Sequence, residues 1–207
     1  MVVDRSEKPT YQPKPAEPAF EGVEAVPLLR SPLTDYLAER GIPYAVASHH
    51  CFRLNYGVRG KRYFAVGFPN MAGGHEVRSR YFKGCIPPKD VSLVKLENTA
   101  ANVCSVFEGF MDFLSAATLG LETGDCLVLN SVSNVEKAMK HMDAYGRINC
   151  FLDRDEAGRR TLDVLGKRYG RRACDRSALY DGCKDLNEYL QLTTKKEMNN
   201  NLKIKLK

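Results

Sequence analysis

The chain has 207 residues, 43% of them hydrophobic and 27% charged, with a formal net charge of +6. That length suits one ordinary domain or two small ones, and the composition excludes a disordered or fibrous chain as the main state. No apolar run approaches the ~18 residues of a membrane span, and the start, MVVDRSEKPT, has acids and no apolar core, so no secretory signal is read and a cytoplasmic location is expected.

Residues 1–20 contain Pro9, Pro13, Pro15 and Pro18 and read as a proline-rich linker or disordered arm. Next, Ser31-Pro32, LTDYLAER and Gly41 predict a short helix with Ser31 as N-cap, Pro32 in the first turn and Gly41 closing the end. From Phe52 onward the pattern is that of strands. Arg62 to Phe68 (RYFAVGF) and His75 to Phe82 (HEVRSRYF) flank the turn cluster PNMAGG and predict an antiparallel hairpin. Residues 51–89 hold eight basic side chains against the single acid Glu76, so a small sheet with one cationic face is expected. Arg59, Lys61, Arg62, Arg78, Arg80 and Lys83 are the candidates for nucleic-acid contact, since a basic block favours a polyanion through counterion release. A solvated basic surface is the plainer reading of any one such block. Residues 21–97 are thus expected to form a basic α+β subdomain.

After Asn98 the runs VCSVF (103–107), CLVL (126–129) and INCFL (148–152) predict strands buried on both faces. Helical stretches at 110–119, 134–142 and 156–169 alternate with them, which predicts parallel βαβ units over residues 98–190. Residues 191–207 read as a basic tail, with five lysines against Glu197 in its last stretch. The seven cysteines show no C-x-x-C pair and their total is odd, so reduced thiols are expected rather than disulfides or zinc. His49 and His50, beside Cys51, are adjacent and do not readily share one tetrahedral ion.

In an open α/β sheet, reactive groups gather beyond the carboxyl ends of the strands. Glu108 follows the first of these strands directly, with Asp112 four residues on; Asp153 and Asp155 follow the third in LDRDEAGRR; Asp185 lies in GCKDLNEYL. Carboxylates converging from separate strand ends repel one another unless a cation sits among them, and their hard oxygens suit Mg²⁺ or Mn²⁺. Asp155 also reads as a simple N-cap for the helix starting near Glu156. Lys184 either neutralises the Asp185 loop or contacts a nucleotide phosphate. NSVSN (130–134) reads equally as a helix cap or a phosphate contact.

Together, EGFMD at 108–112 and LDRDEAGR at 152–159, each after a buried strand, resemble the Toprim domain shared by bacterial-type primases, topoisomerases and certain nucleases. Within that superfamily they look most like the primase form, and the basic segment upstream resembles the subdomain that precedes Toprim in bacterial primases. The resemblance implies a Toprim-type parallel sheet flanked by helices, behind a small basic α+β subdomain with an antiparallel hairpin. It implies a general acid or base role for Glu108 and metal binding by Glu108, Asp112, Asp153, Asp155 and Asp185, with Glu108, Asp153 and Asp155 catalytic. It further implies a primase-like nucleotidyltransferase, dependent on Mg²⁺ or Mn²⁺, that makes short primers from nucleoside triphosphates on a single-stranded DNA template. Gly109 and Gly158 match glycines of tight strand-to-helix turns.

The chain departs from the bacterial pattern in three ways. Asp185-Leu-Asn187 stands where a second D-x-D is usual, and an amide cannot supply the second anionic oxygen. There is no zinc-ligand spacing near the start, and no residues remain after about 190 for a helicase-binding helical domain. The expected partners therefore include a helicase or a zinc-binding domain outside this chain, which is either a core cut from a longer protein or a compact primase-like protein of a mobile element. The alternatives from other classes are a Toprim nuclease and a non-catalytic nucleic-acid-binding remnant. A topoisomerase is the least expected of these, since its gate domain finds no room in these 207 residues.

Overall fold

A computed structural model describes residues 20–96 and 102–205, with side chains as far as 196. The expected arm before Phe20 and the expected boundary at 97/98 lie outside the described residues.

The first half is an antiparallel sheet of five strands in sequential order: β1 (Glu21–Pro27), β2 (Phe52–Val58), β3 (Lys61–Pro69), β4 (His75–Arg78) and β5 (Lys83–Ile86). Two helices, α1 (Pro32–Glu39) and α2 (Tyr44–His50), connect β1 to β2. Ser31 precedes α1 as expected, and its backbone N–H donates to the Thr34 hydroxyl at 2.9 Å. Gly41 follows with φ +79, a conformation that costs a residue without Cβ little. The β3–β4 hairpin forms as predicted, its turn organised by the Asn70 amide oxygen, which accepts from the N–H groups of Ala72 and Gly74.

The run 75–82 is not one strand. A turn closed by the Ser79 N–H on the Phe82 carbonyl (2.8 Å) splits it, and β5 continues beyond. The alternation that reads as a single strand fails at Arg80-Tyr81, where Tyr81 is 92% exposed and has no sheet to lie against.

The second half is a sheet of order β10-β9-β7-β8-β6. Its centre is β7 (Val103–Phe107), with β8 (Asp125–Val128) and β9 (Arg147–Phe151) parallel on either side. β10 (Ala173–Asp175) adds in parallel, and β6 (Ser92–Val94) closes the other edge antiparallel. α3 (Phe110–Leu119), α4 (Val135–Met142) and α5 (Glu156–Tyr169) lie within two residues of the spans read from sequence. α6 (Leu186–Lys205) runs straight through position 190, into the stretch read as a tail.

Strand alternation decides the layers. Cys104, Val106, Leu127, Ile148 and Cys150 face α4 and α5. Phe107, Cys126, Val128 and Phe151 face α3 and α6 together with Leu37, Val66 and Phe68 of the first half. One apolar cluster thus belongs to both halves, and Phe113 sits in it fully buried between Phe68, Phe107 and His50, with ring centroids 5.6, 5.9 and 4.8 Å away. All seven cysteines are free thiols, five of them buried. No helix among the described residues is long and apolar enough to cross a membrane.

Candidate active site

A cleft of about 400 Å³ opens where the carboxyl ends of β7 and β9 meet the first half, and Glu108, Asp112, Asp153, Lys184 and Asp185 all line it. β7 delivers Glu108 at its end, and the first turn of α3 delivers Asp112. The loop after β9 carries Asp153 and Asp155, and the loop before α6 carries Lys184 and Asp185. These last two loops are tied together, since the Arg154 N–H donates to the Lys184 carbonyl at 2.7 Å and the Arg154 guanidinium pairs with Asp181.

Asp155 proves to be a helix cap: its Oδ1 accepts from the N–H groups of Ala157 and Gly158, both at 3.0 Å. The cap occupies one oxygen only. Oδ2 lies 3.7 Å from Lys184 Nζ, which also stands 3.5 Å from Asp153 Oδ2. Asp185 similarly caps α6 through the Glu188 N–H at 2.7 Å. Gly158 earns its place by close approach rather than by a left-handed turn, because a Cβ there would stand 1.9 Å from the Asp153 carbonyl oxygen. Gly109, at φ −131, has an ordinary extended backbone as N-cap of α3.

The electrostatics separate the acids into two groups. Burial, then the charges of Asp153 and Asp155, push the Glu108 carboxyl up to about 7. Burial followed by Asp185 and Asp153 raises the buried Asp112 well above the carboxylate range, and burial followed by Asp185 also raises Asp153, against the pull of Lys184. Asp155 moves the other way, held down chiefly by the Gly158 N–H, with Lys184 helping. Lys184 is itself raised, mainly by Asp153. Lys184 thus reaches only Asp153 and Asp155 among these acids, and Glu108 Oε2 is buried without a hydrogen-bond partner among the described residues.

That orphaned oxygen and an all-oxygen donor set fit a hard divalent cation. The described residues hold no ready-made cluster of three ligands, so a cation would have to draw the carboxylates together.

The predicted cations fall in three places. Arg78 and Lys83 line the acid cleft, and by register they sit in one cross-strand row with Arg53 (Arg53–Val66–Arg78–Lys83). Arg62 and Arg80 line a second, larger groove of about 850 Å³ walled by Tyr63, Phe64, Tyr81 and Phe82, and Arg80 is paired there with Glu39 at 2.5 Å. Arg59 and Lys61 stand at the β2–β3 turn, clear of both. The groove and the cleft share a wall, because Arg78 Nε donates to the Tyr36 hydroxyl at 3.3 Å and Tyr36 lines the groove.

Three further residues belong to the cleft, of which sequence spacing missed Arg40 altogether. Arg40 lines the cleft from the end of α1. Asn187 is buried and bonded to both Arg40 and Asp112. Asn130 adopts φ +62 with a buried, unpartnered amide oxygen. Asn130 left a local sign as part of the polar run after β8, and Asn187 as the amide of Asp185-Leu-Asn187; Arg40 left none.

This geometry defines a class. Residues 105–190 match the Toprim-like family model, and they form a Toprim-like domain with its acids at the expected strand ends. Residues 23–87 match a domain of unknown function, DUF8464. As a whole the chain is similar in fold to solved primase domains. The primase fragment of the bacteriophage T7 primase-helicase protein is similar at 19% identity, over 89% of this chain and 81% of that one, with a TM-score of 0.57. A chain of a bacteriophage T7 complex, in which the lagging-strand DNA polymerase interacts with primase domains of two gp4 subunits bound to an RNA/DNA hybrid and dTTP, is similar at 17% identity. That match covers 87% of this chain and 91% of the other, with a TM-score of 0.58. The zinc-binding and RNA polymerase domains of Aquifex aeolicus primase are similar at 16% identity over 80% of this chain, which spans 54% of that one, with a TM-score of 0.52. At these identities the likeness is one of fold. No curated protein matches the chain.

Proposed function

We propose that the chain is the catalytic core of a primase-like nucleotidyltransferase, making short primers on single-stranded DNA. The observation that carries this reading is the cleft itself: carboxylates from three loops, with Arg40, Arg78 and Lys83 from the other half of the molecule lining the same cleft. Asp153, with Asp155 Oδ2, Asp112 and Asp185, would hold Mg²⁺ or Mn²⁺ beside Glu108. A bound cation would neutralise charge on the triphosphate and lower the barrier to attack on its α-phosphorus. Glu108, pushed up to about 7, is poised to accept the proton as the attacking hydroxyl oxygen bonds to that phosphorus and the bond to pyrophosphate breaks. Lys184, which now balances Asp153 and Asp155, would release them and turn to a nucleotide phosphate.

The adjoining groove suits an unpaired strand. Tyr63, Phe64 and Phe82 are each more than 40% exposed, and Tyr81 nearly fully so; Arg62 and Arg80 stand among them. Exposed rings with interleaved arginines stack bases and hold phosphates without regard to sequence. Glu39 holds Arg80 until a phosphate replaces it.

The test is incubation with single-stranded DNA, nucleoside triphosphates and Mg²⁺ or Mn²⁺. Short new oligonucleotides are expected, and Asp153→Asn should abolish them with partial recovery at high Mn²⁺. Cleavage of the strand without synthesis would favour a Toprim nuclease instead.

A further inference from the structure

Asn187 stands where a second acid of the metal site is expected, yet its surroundings require an amide. It is 1% exposed, and every polar group it has is engaged. Its backbone N–H donates to Asp112 Oδ1 at 3.1 Å, and its Nδ2 donates to Ser115 Oγ at 2.9 Å and to the Arg40 carbonyl at 3.0 Å. Its Oδ1 accepts from Arg40 Nε at 2.6 Å and from Gln191 Nε2 at 3.2 Å. A carboxylate of the same size cannot donate to the Arg40 carbonyl, and it would add a charge beside the enclosed Asp112. Asn187 is therefore a joint between α1, α3 and α6, not an incomplete ligand.

The joint grips Arg40 by its carbonyl and its Nε. The two Nη groups of Arg40 make no hydrogen bond or ion pair among the described residues, while the side chain lines the acid cleft on the wall that also carries Arg78 and Lys83. A half-buried guanidinium held by one nitrogen, with the other two unengaged, is preorganised for an oxyanion. Resting on the polymerase reading above, we infer that Arg40 binds the phosphates of the incoming nucleoside triphosphate, and that Asn187 is the positioning residue that holds it in register with Asp112.

A phosphate oxyanion could also come from the DNA strand, so the experiment has an arm for each source. The full chain is titrated calorimetrically with ATP, with adenosine and with a single-stranded oligonucleotide, in the presence of Mg²⁺. Arg40→Ala should weaken ATP binding about 10- to 100-fold, the loss of charge-assisted hydrogen bonds to a phosphate. It should leave adenosine and oligonucleotide affinity unchanged. Arg40→Lys, which keeps the charge and loses the fork, should fall between. Asn187→Ala should raise the KM for nucleotide more than it lowers kcat, a split that general loosening of the fold would not give. If the wild type binds ATP and folded Arg40→Ala binds it equally, or if only oligonucleotide affinity drops, the inference is overturned while the polymerase reading stands. If the wild type binds no ATP at all, the polymerase reading falls and takes this inference with it.

Discussion

At the scale of single residues, the acids follow from a rule about strand ends, and their division of labour follows from what each one touches. Asp155 spends one oxygen on a cap and is held charged; Glu108 has a buried oxygen with no partner and is pushed up to about 7. The Glu108 shift has a consequence for stability whose sign is fixed. Between the ordinary value of 4.5 and about 7 the folded state binds more protons than the unfolded one, so this group's contribution falls as pH rises, with the full penalty above about 7. Asp112 and Asp153 act in the same sense, while His50, held down to about 4 chiefly by burial, acts oppositely between there and 6.5. The comparison of wild type with Glu108→Gln removes this group together with its push on Asp112, both of which act in the same sense. Thermal midpoints should decline less with rising pH in the variant, and Mg²⁺ should raise the wild-type midpoint most at the alkaline end, where it meets no competing protons. Identical profiles for the two proteins would contradict the assignment. Gly158→Ala makes a separate point: its Cβ would overlap the Asp153 carbonyl, so a loss of about 1–3 kcal/mol is expected in urea unfolding, with Asp153 displaced.

These residue-level features were unequally legible. Glu108, Asp153 and Asp185 each follow a local pattern that sets them beside the ends of β7, β9 and α6. Arg40 and Asn187 are 147 positions apart, and nothing local marks their contact. For the same reason the D-x-N looked like a deficiency, because the amide's partners lie on two other helices.

At the scale of elements, the long buried strands and amphipathic helices of the second half could be read closely, since their periodicity is strong and both faces are packed. Short edge strands such as β6 and β10 carry three residues each, too few for any period to register. The split of 75–82 leaves no local sign because Arg-Tyr-Phe satisfies strand propensity, while β4 stops pairing with β3 at Arg78 and turns at Ser79–Phe82. That turn supplies Tyr81 and Phe82 to the groove, which gives the element its prediction. Tyr63→Ala and Tyr81→Ala should each weaken single-stranded DNA binding by about 1–3 kcal/mol if a base stacks there. Fluorescence anisotropy with a labelled oligonucleotide would measure it, and unchanged affinity in the double variant would remove the groove from the strand's path.

At the scale of the whole molecule, the two halves match separate family models yet share one apolar cluster, in which α3 packs against Phe68 from the first sheet and Phe107 from the second. Composition change along the chain suggested two subdomains but not their common core, because neither sequence half shows an unpaired apolar face on its own. Phe113→Ala should therefore cost about 3–5 kcal/mol and lower a single cooperative transition, where two separable units would give two. The shared core also holds the cationic row opposite the acids, and on that opposition the proposed activity depends. Glu108→Gln tests it most directly, with primer synthesis and single-stranded DNA binding measured on the same preparation. Removal of the proton acceptor should lower synthesis about 100-fold or more while binding persists, as expected for a general base. Synthesis at the wild-type rate in Glu108→Gln would contradict the catalytic account and leave a nucleic-acid-binding protein in its place.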